Sequence, residues 1–441
     1  MPESRRLKVS LDSILQVIVI IYQGTAVLGF IIALFLASRW LKTPFLGAFF
    51  EQTMLRNEAT PSGTSDAWDL FSRIQFRDQL IEVNGVPVQS FTATENVLNG
   101  TTPGTIPTGG GFSAGDTLPI TVRKYSDGEQ TLDVTLGTFP LADRIAYIVI
   151  PGVLSVLFLV ISLWIFGLRR GEAAGRAFAL FTSSLAIVMG TLFDLYTTHA
   201  FTHLWTLALA VLGGSMLDMA MAFPQEFRPA IDRPYVRWIG YGIGILLAAY
   251  AYTTLFNFQD PAAYIRAWQY LYLFVAISGL VYFGFIIYRA IASPSPIIKS
   301  QARTILFGAL LGFSVMIVWL VNMVFRWFDF PFTTTLFLPI ILFPLALGYT
   351  ILRYRLIQAD AWMRQSLIYV LLTIFLVGGI GIVVTGMTLI FKGFQPFNNT
   401  WVIVVMAFII AVLLNPLRNR LQGMVDHALF RGQRAYLKSQ Q

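Results

Sequence analysis

Long apolar runs recur along most of this chain, and few charged residues interrupt them. About 20 apolar residues in a helix are enough to cross the hydrocarbon core of a bilayer. The pattern therefore predicts a polytopic α-helical membrane protein with about ten transmembrane helices, the tenth being the shortest. The predicted spans lie near 14–38, 144–167, 177–197, 202–223, 236–256, 268–289, 304–325, 333–352, 366–391 and 400–415.

A polar segment after the first run, 41–142, has a different pattern. The letters "LIEVNG", 80–85, alternate in polarity and end in an Asn-Gly pair, which predicts a strand and a tight hairpin turn. Residues 92–100 are predicted to form a short helix closed by a glycine, and 101–116 have the composition of a flexible linker. A second hairpin is predicted over 118–136. The segment is therefore predicted to be an inserted extracytoplasmic α+β domain.

Composition agrees with the membrane class and excludes several kinds of site. Of the 441 residues, 56% are hydrophobic and 12% are charged, whereas a soluble domain carries about 25% charged residues. The chain has no cysteine, which excludes disulfides, iron–sulfur clusters, thiolate metal sites and cysteine nucleophiles. The first apolar run follows "MPESRRLK" without a small-residue cleavage site, so it is predicted to be a retained span.

The net charge of +8 is distributed among the predicted loops in a way that indicates orientation. With the N-terminus in the cytoplasm, the inner segments carry 20 Lys and Arg residues, whereas the short outer loops carry only Arg266, Arg326 and Lys392. This asymmetry follows the positive-inside rule. It predicts a multi-pass protein of the bacterial cell (inner) membrane with both termini cytoplasmic and 41–142 outside. The basic excess then indicates contact with anionic lipids and not a nucleic-acid partner.

The outer segment resembles a PDZ domain in the order of its elements. The resemblance covers about 90 residues and rests on "RDQLIEVNGVPV", 77–88, on the helix at 92–100 and on the closing strands. Family members usually have Gly-Asp before this strand; here Asp78 is kept and Arg77 replaces the glycine. PDZ domains bind an extended peptide as an added strand, and backbone amides of a glycine-containing loop hold its carboxylate.

The resemblance implies a ligand-binding loop in "PFLGAFF", at Leu46, Gly47, Ala48 and Phe49. Two interpretations of this loop stay open. In the first, it binds a peptide or protein ligand. In the second, its apolar side chains are core residues where the domain meets the membrane, and the domain has a structural or partner-docking role.

Two further stretches resemble the membrane sensor half of bacterial histidine kinases, including the competence-pheromone receptor kinases. They are "LGYTILRYRLIQADAWMRQSLIYVLLT", 347–373, and "LLNPLRNRLQGMVDHALFRGQRAYLKSQQ", 413–441. In that family the final helix passes motion to the cytoplasmic kinase domains of a two-component system. Residues 417–441 are accordingly expected to form an amphipathic signalling helix. Its apolar stripe suits a membrane surface or a homodimer and comprises Leu417, Leu421, Met424 and Val425.

Catalytic motifs are missing from the sequence, and no cofactor or metal is expected. It contains no His-Glu-x-x-His, no P-loop and no Gly-x-Ser-x-Gly. Charged residues inside predicted spans are the remaining candidates, because they are costly there and often functional. Asp194 lies near the outer end of the third span, beside His199 and His203; the three could bind a metal, sense pH or simply lie at the wet interface. Asp218, near the inner end of the fourth span, is expected to face a neighbouring helix.

The sequence as a whole predicts a membrane module that senses a signal. The outer domain, the bundle or their contact would detect a ligand such as a peptide, and the helix after Asn415 would relay the event to a cytoplasmic kinase domain or partner. The resemblance implies the non-catalytic sensor part of a histidine kinase, either truncated or working through another protein. Two alternatives stay open: a transporter or lipid-handling protein with a PDZ-like accessory domain, and an outer protein-binding scaffold.

Overall fold

The protein is described here by a computed structural model, in which a helical bundle carries a small α+β module. It describes residues 2–62, 66–100, 111–126, 128–224, 227–325, 339, 340, 342, 343 and 346. The helices are α1 (Pro2–Trp40), α2 (Asp69–Arg73), α3 (Phe91–Leu98), α4 (Leu141–Arg144), α5 (Ile150–Arg169), α6 (Ala173–Gly190), α7 (Leu192–Tyr196), α8 (Thr202–Ala222), α9 (Arg228–Asp232), α10 (Ile239–Tyr252), α11 (Ala263–Ala292) and α12 (Pro296–Phe325). The strands are β1 (Gln79–Val83), β2 (Val86–Pro87), β3 (Thr117–Arg123) and β4 (Glu129–Thr135). A π-helical turn, Ile145–Val149, joins α4 to α5.

Within the described residues, five helical segments are long and apolar enough to cross a membrane. The membrane character predicted from the sequence is thus confirmed, whereas the number of ten spans stays a prediction. α10 and α12 fall on the predicted spans 236–256 and 304–325. The predicted spans 366–391 and 400–415, and most of 333–352, lie outside the described residues. The five segments are Ser13–Trp40, Leu141–Arg169, Ala173–Gly190, Thr202–Ala222 and Ala263–Ala292.

The predicted span 177–197 is not one uninterrupted helix. α6 ends at Gly190, α7 begins at Leu192, and Thr191 between them leaves the helical conformation with φ −105° and ψ 9°. Gly190 packs so closely on α5 that a Cβ atom there would lie 2.6 Å from Ser155 Oγ. The hydropathy pattern gives no sign of this break, because apolar residues continue on both sides of it.

The module contains a four-stranded antiparallel sheet in the order β2-β1-β3-β4. Alternate side chains of β3, including Ile120 and Val122, are fully buried, as expected for a sheet with one face on a core. Leu80 of β1 is also fully buried, and the pairing of β1 with β3 shifts register between Leu80 and Glu82. The predicted strand and hairpins are therefore present. The likeness of the module to a PDZ domain stays a prediction.

Left-handed backbone conformations occur at the predicted Asn84-Gly85 turn and also at Arg77, where no turn was predicted. Asn84 and Gly85 have φ values of 52° and 73°, and this two-residue turn joins β1 to β2. Arg77 has φ 75°, so the position where the PDZ family has glycine takes the conformation that glycine adopts most easily. The next residue, Asp78, is buried, and its Oδ1 accepts a hydrogen bond from the backbone N–H of Tyr125 at 3.0 Å. This bond fixes the start of β1 to the end of β3.

Close contacts and small polar side chains hold the bundle together. α1 packs against α5 and α6, α6 against α8, and α8 against α10 and α11. Gln23 of α1 donates to Ser162 Oγ of α5 at 2.9 Å, and Ser162 Oγ lies 2.8 Å from Ser183 Oγ of α6. Such bonds matter in a bilayer because lipid tails supply no hydrophobic drive for helices to associate. They tie α1, which leads into the module, to its neighbours.

Candidate functional site

The module meets the bundle through the segment that follows α1. Residues 50–56 form a tight turn, in which the Glu51 N–H donates to the Leu55 carbonyl at 2.7 Å. The side chains of 51–55 are buried, although three of the five are polar. The turn contacts loop 257–262 through a hydrogen bond from Thr53 to Pro261, and the backbone of Phe50 lies beside the imidazole of His199 in loop 197–201. We call this region the junction; it comprises 50–57, the two loops, and the contacts of Phe49 and Asp143 described below.

An aromatic cluster borders the junction on its apolar side. The ring centroid of Phe49 lies 5.2 Å from that of Trp68, 5.5 Å from Tyr147, 5.7 Å from Tyr196 and 6.1 Å from Trp40. Aromatic pairs at such distances contribute about 0.5–1.5 kcal/mol each beyond the burial of their area. Trp40 ends α1, Tyr147 precedes α5 and Tyr196 ends α7. Phe49 is therefore a shared contact of three bundle segments and of the module.

Hydrogen bonds fasten the module at two further points. Asp143 of α4 is 1% exposed; its Oδ2 accepts the indole N–H of Trp68 at 2.8 Å, and its Oδ1 accepts the N–H of Ser62 at 2.7 Å. Thr53 Oγ1 donates to the Pro261 carbonyl at 2.9 Å. A buried carboxyl group is costly unless it is hydrogen-bonded. Asp143 therefore holds the module at one position on the bundle.

Several polar atoms at the junction have no hydrogen-bond partner among the residues that the structure describes. They are Glu51 Oε2, both amide atoms of Gln52, both ring nitrogens of His199 and Nε of Arg56, whose guanidinium lies over the ring of Phe71. Glu51 keeps one bond, from Asn57 Nδ2 to Oε1 at 2.6 Å. Nine-tenths or more of buried polar groups find a partner in folded proteins. A group of unpartnered atoms at one interface marks the junction as the candidate functional site.

Burial changes the protonation of two junction side chains. It raises the pKa of Glu51 to about 8, and the bond from Asn57 opposes this rise. Burial also lowers the pKa of His199 to about 4. The carbonyls of Phe50 and Leu195 lie beside the imidazole and oppose the fall, without reaching hydrogen-bonding geometry. Because Phe50 belongs to the module and Leu195 to the bundle, the ring of His199 lies between the two, and both side chains are mainly uncharged at pH 7.

Asp194, a site residue predicted from the sequence, organises the loop at the junction. Its carboxylate accepts hydrogen bonds from the Thr198 hydroxyl and, at 2.8 Å, from the N–H of Phe201. The intervening His199 has φ 57°. His203 stacks instead on the ring of Phe256 at 5.3 Å from that centroid. Within the part of the chain that the structure describes, no group of three His, Cys, Asp or Glu side chains could hold a metal ion.

The predicted ligand-binding loop is packed beside the junction. Leu46, Ala48 and Phe49 are all buried. Gly47 has φ 88°, and its carbonyl accepts the N–H of Phe71 at 2.9 Å. This packing favours the interpretation of the loop as core, and peptide binding by the loop stays a prediction.

Asp218, the second predicted intramembrane site residue, is not part of the junction. Its Oδ1 accepts Arg237 Nε at 2.6 Å, and its Oδ2 lies 3.3 Å from the Tyr241 hydroxyl. It thus faces a neighbouring segment and forms an ion pair with it. The prediction of a signalling helix is not addressed by the structure. Its four residues lie outside the described residues: Leu417, Leu421, Met424 and Val425.

Sequence reasoning missed the residues that build the junction. Glu51 and Gln52 stand in "FFEQTML", and a polar pair inside an apolar stretch was the available signal. Asp143 directly precedes a predicted span, where a charge at the interface is ordinary. Trp68 has no neighbour that marks it. Trp68 and Asp143 are 75 residues apart, so their contact is invisible in the local pattern.

Comparisons of the chain with protein-family models, with curated proteins and with solved structures gave no match.

Proposed function

We propose that this chain is a membrane sensor module that detects an extracytoplasmic or membrane ligand, such as a peptide, and relays the event to a cytoplasmic kinase-type output. In this proposal the α+β module lies outside the cell membrane and both termini lie in the cytoplasm. Residues 417–441 carry the signal out of the bundle. The observation that carries the proposal is the junction, where the module docks directly onto the bundle.

The contacts at the junction support transmission of movement. A sensor needs two states that differ at its output end, and a rigid-body shift of one domain against another is a common way to reach them. Any shift of the module displaces Phe49 and the partners of Asp143, so it moves the ends of α1, α5 and α7 together. A module held only by linkers could move without this effect.

A transporter or lipid-handling protein is the second candidate, and one observation favours it. Polar side chains are buried between α1, α5 and α6, at Gln23, Ser162 and Ser183. They are uncharged and bonded to one another, as are polar groups that hold membrane helices together. The same cluster therefore has a sufficient explanation in packing.

A fused reporter tests the sensor proposal. A dimerisation-dependent kinase core is joined after Gln441, and its output is measured in membranes. We expect the output to change several-fold when Trp68→Phe removes the N–H that Asp143 accepts. The matched control is Trp164→Phe, because Trp164 Nε1 is buried without a hydrogen-bond partner among the described residues. This control should leave the output unchanged.

Two further variants separate the sensor from the transporter. The sensor predicts that Leu421→Glu with Val425→Glu also changes the output, because these residues carry the relay. A transporter would ignore the tail and lose transport with Asp218→Asn. If Trp68→Phe and the tail variant both leave the kinase output at its starting level, the sensor proposal is wrong.

A further inference from the structure

We infer that Glu51 and His199 make the junction a proton-binding site, which locks the module onto the bundle while Glu51 is protonated and releases it when Glu51 ionises. The inference rests on the geometry of the junction and does not require the proposed signalling role. The ligand in this case is the proton, and the responding element is the turn at 50–57.

The geometry gives Glu51 one satisfied oxygen and one that is not. Oε1 accepts Asn57 Nδ2, whereas Oε2 is buried without a partner among the described residues. A neutral carboxyl group tolerates this environment far better than a carboxylate does. Gln52, the next residue, is 2% exposed and brings two more unpartnered atoms. Ionised Glu51 therefore has only the hydrogen bond from Asn57 to compensate its charge while the turn stays docked.

The groups that face Glu51 do not supply a positive charge. From its own segment Glu58 faces it, and this carboxylate disfavours ionisation. From the bundle it is faced by the phenols of Tyr196, Tyr264 and Tyr272. The imidazole of His199 lies at the same interface and burial keeps it neutral. Within the described part of the chain, none of the ion pairs includes Glu51.

The direction of the pH effect follows from the two pKa values. In the proposed released state both side chains are exposed to water and have their ordinary pKa values. Burial in the docked state raises the pKa of Glu51 from 4.5 to about 8, so the docking equilibrium falls by up to about tenfold per pH unit between these values. Docking lowers the pKa of His199 from 6.5 to about 4, so the same equilibrium rises roughly tenfold per pH unit between 4 and 6.5. The two effects cancel between about 4.5 and 6.5. Above 6.5 the Glu51 effect dominates, and docking weakens about 8-fold between pH 6.5 and 8, because the fall levels off as the pH approaches the docked pKa and the last part of the His199 titration opposes it.

Cysteine labelling measures this opening directly, since the chain has no other cysteine. Ala59, 2% exposed, is replaced by Cys in the full chain in nanodiscs, and the rate of reaction with a methanethiosulfonate reagent is measured from pH 5 to 9. Each rate is divided by the rate for an exposed cysteine at Thr131→Cys. This division removes the pH dependence that ionisation of the thiol gives to both rates. We expect the ratio to rise about 8-fold between pH 6.5 and 8 and to change less than about twofold from 5 to 6.5.

Glu→Gln variants, which keep the size of the side chain, show whether Glu51 causes the rise in labelling above pH 6.5. Glu51→Gln keeps an oxygen for Asn57 and cannot ionise, so the rise above pH 6.5 should vanish. Glu58→Gln, at an exposed position seven residues away, should keep a rise that is only slightly smaller than that of the parent, because Glu58 is the smallest of the causes that act on the pKa of Glu51. A flat ratio in the parent, or a rise that survives Glu51→Gln, overturns the inference. If labelling follows pH but the fused kinase ignores the junction variants, the proton site stands and the sensor proposal fails.

Discussion

Gly47 shows how a single residue shapes the edge of the junction. Its φ of 88° is a conformation that residues with a side chain rarely adopt, and a Cβ atom there would lie 3.1 Å from both the Ala67 carbonyl oxygen and the Leu70 nitrogen. The glycine thus permits both a turn and a close backbone approach. The sequence predicted that this glycine matters, through its resemblance to a ligand loop, but not that it would be packed against the module's own backbone.

Gly47→Ala should destabilise the module by more than the backbone conformation alone explains. The left-handed conformation costs a residue with a side chain about 1–2 kcal/mol, and the clash with fixed backbone atoms adds to this. Gly128→Ala is the control, because Gly128 has φ 84° and nothing within 4 Å of a Cβ atom. The measurement is the urea concentration at which protease cleaves the module of the nanodisc-held protein. Equal midpoints for the two variants would show that the close approach at Gly47 is unimportant.

At the scale of elements, the sequence pattern located the strands and turns of the module well. Alternation along β1 and β3 and the Asn84-Gly85 pair are local signals, and the structure contains the strands and the turn that they predict. The interruption at Thr191 was not predictable, because apolar residues continue on both sides of it and the close approach of Gly190 to Ser155 involves another helix. Local patterns report the state of a segment; they do not report which neighbour it meets.

Helix packing in the bundle gives an element-scale prediction at α10. A Cβ atom at Gly244 would lie 2.5 Å from the Ala210 carbonyl oxygen of α8, whereas one at Gly242 has nothing within 4 Å. Gly244→Leu should therefore push α10 from α8 and lower the stability by about 1–3 kcal/mol or more, as overpacking does. Gly242→Leu, two residues away on the same helix, should have little effect. The check is the thermal unfolding midpoint in detergent, and similar midpoints for the two variants would contradict this packing.

At the scale of the whole molecule, the class and the organisation were predictable, whereas the docking was not. Apolar runs are a property of composition along the chain, and they predicted a membrane protein with a polar segment after the first run; the orientation inferred from charge asymmetry stays a prediction. The junction joins Phe49 and Glu51 to Asp143, Tyr196 and His199, which lie about 90 to 150 residues further along the chain. Nothing in a single segment reports such a meeting.

The most direct test of this account is the distance between the module and the bundle in a lipid bilayer. Spin labels are attached to the exposed positions Thr131→Cys and Gln259→Cys of the full chain in nanodiscs at pH 6, and the distance distribution is measured by pulsed electron paramagnetic resonance. The junction predicts one narrow distribution, because Phe49, Asp143 and Thr53 fix the module on the bundle. It also predicts that Trp68→Phe broadens the distribution. A broad distribution in the parent protein would show that the module moves freely, and it would contradict the account.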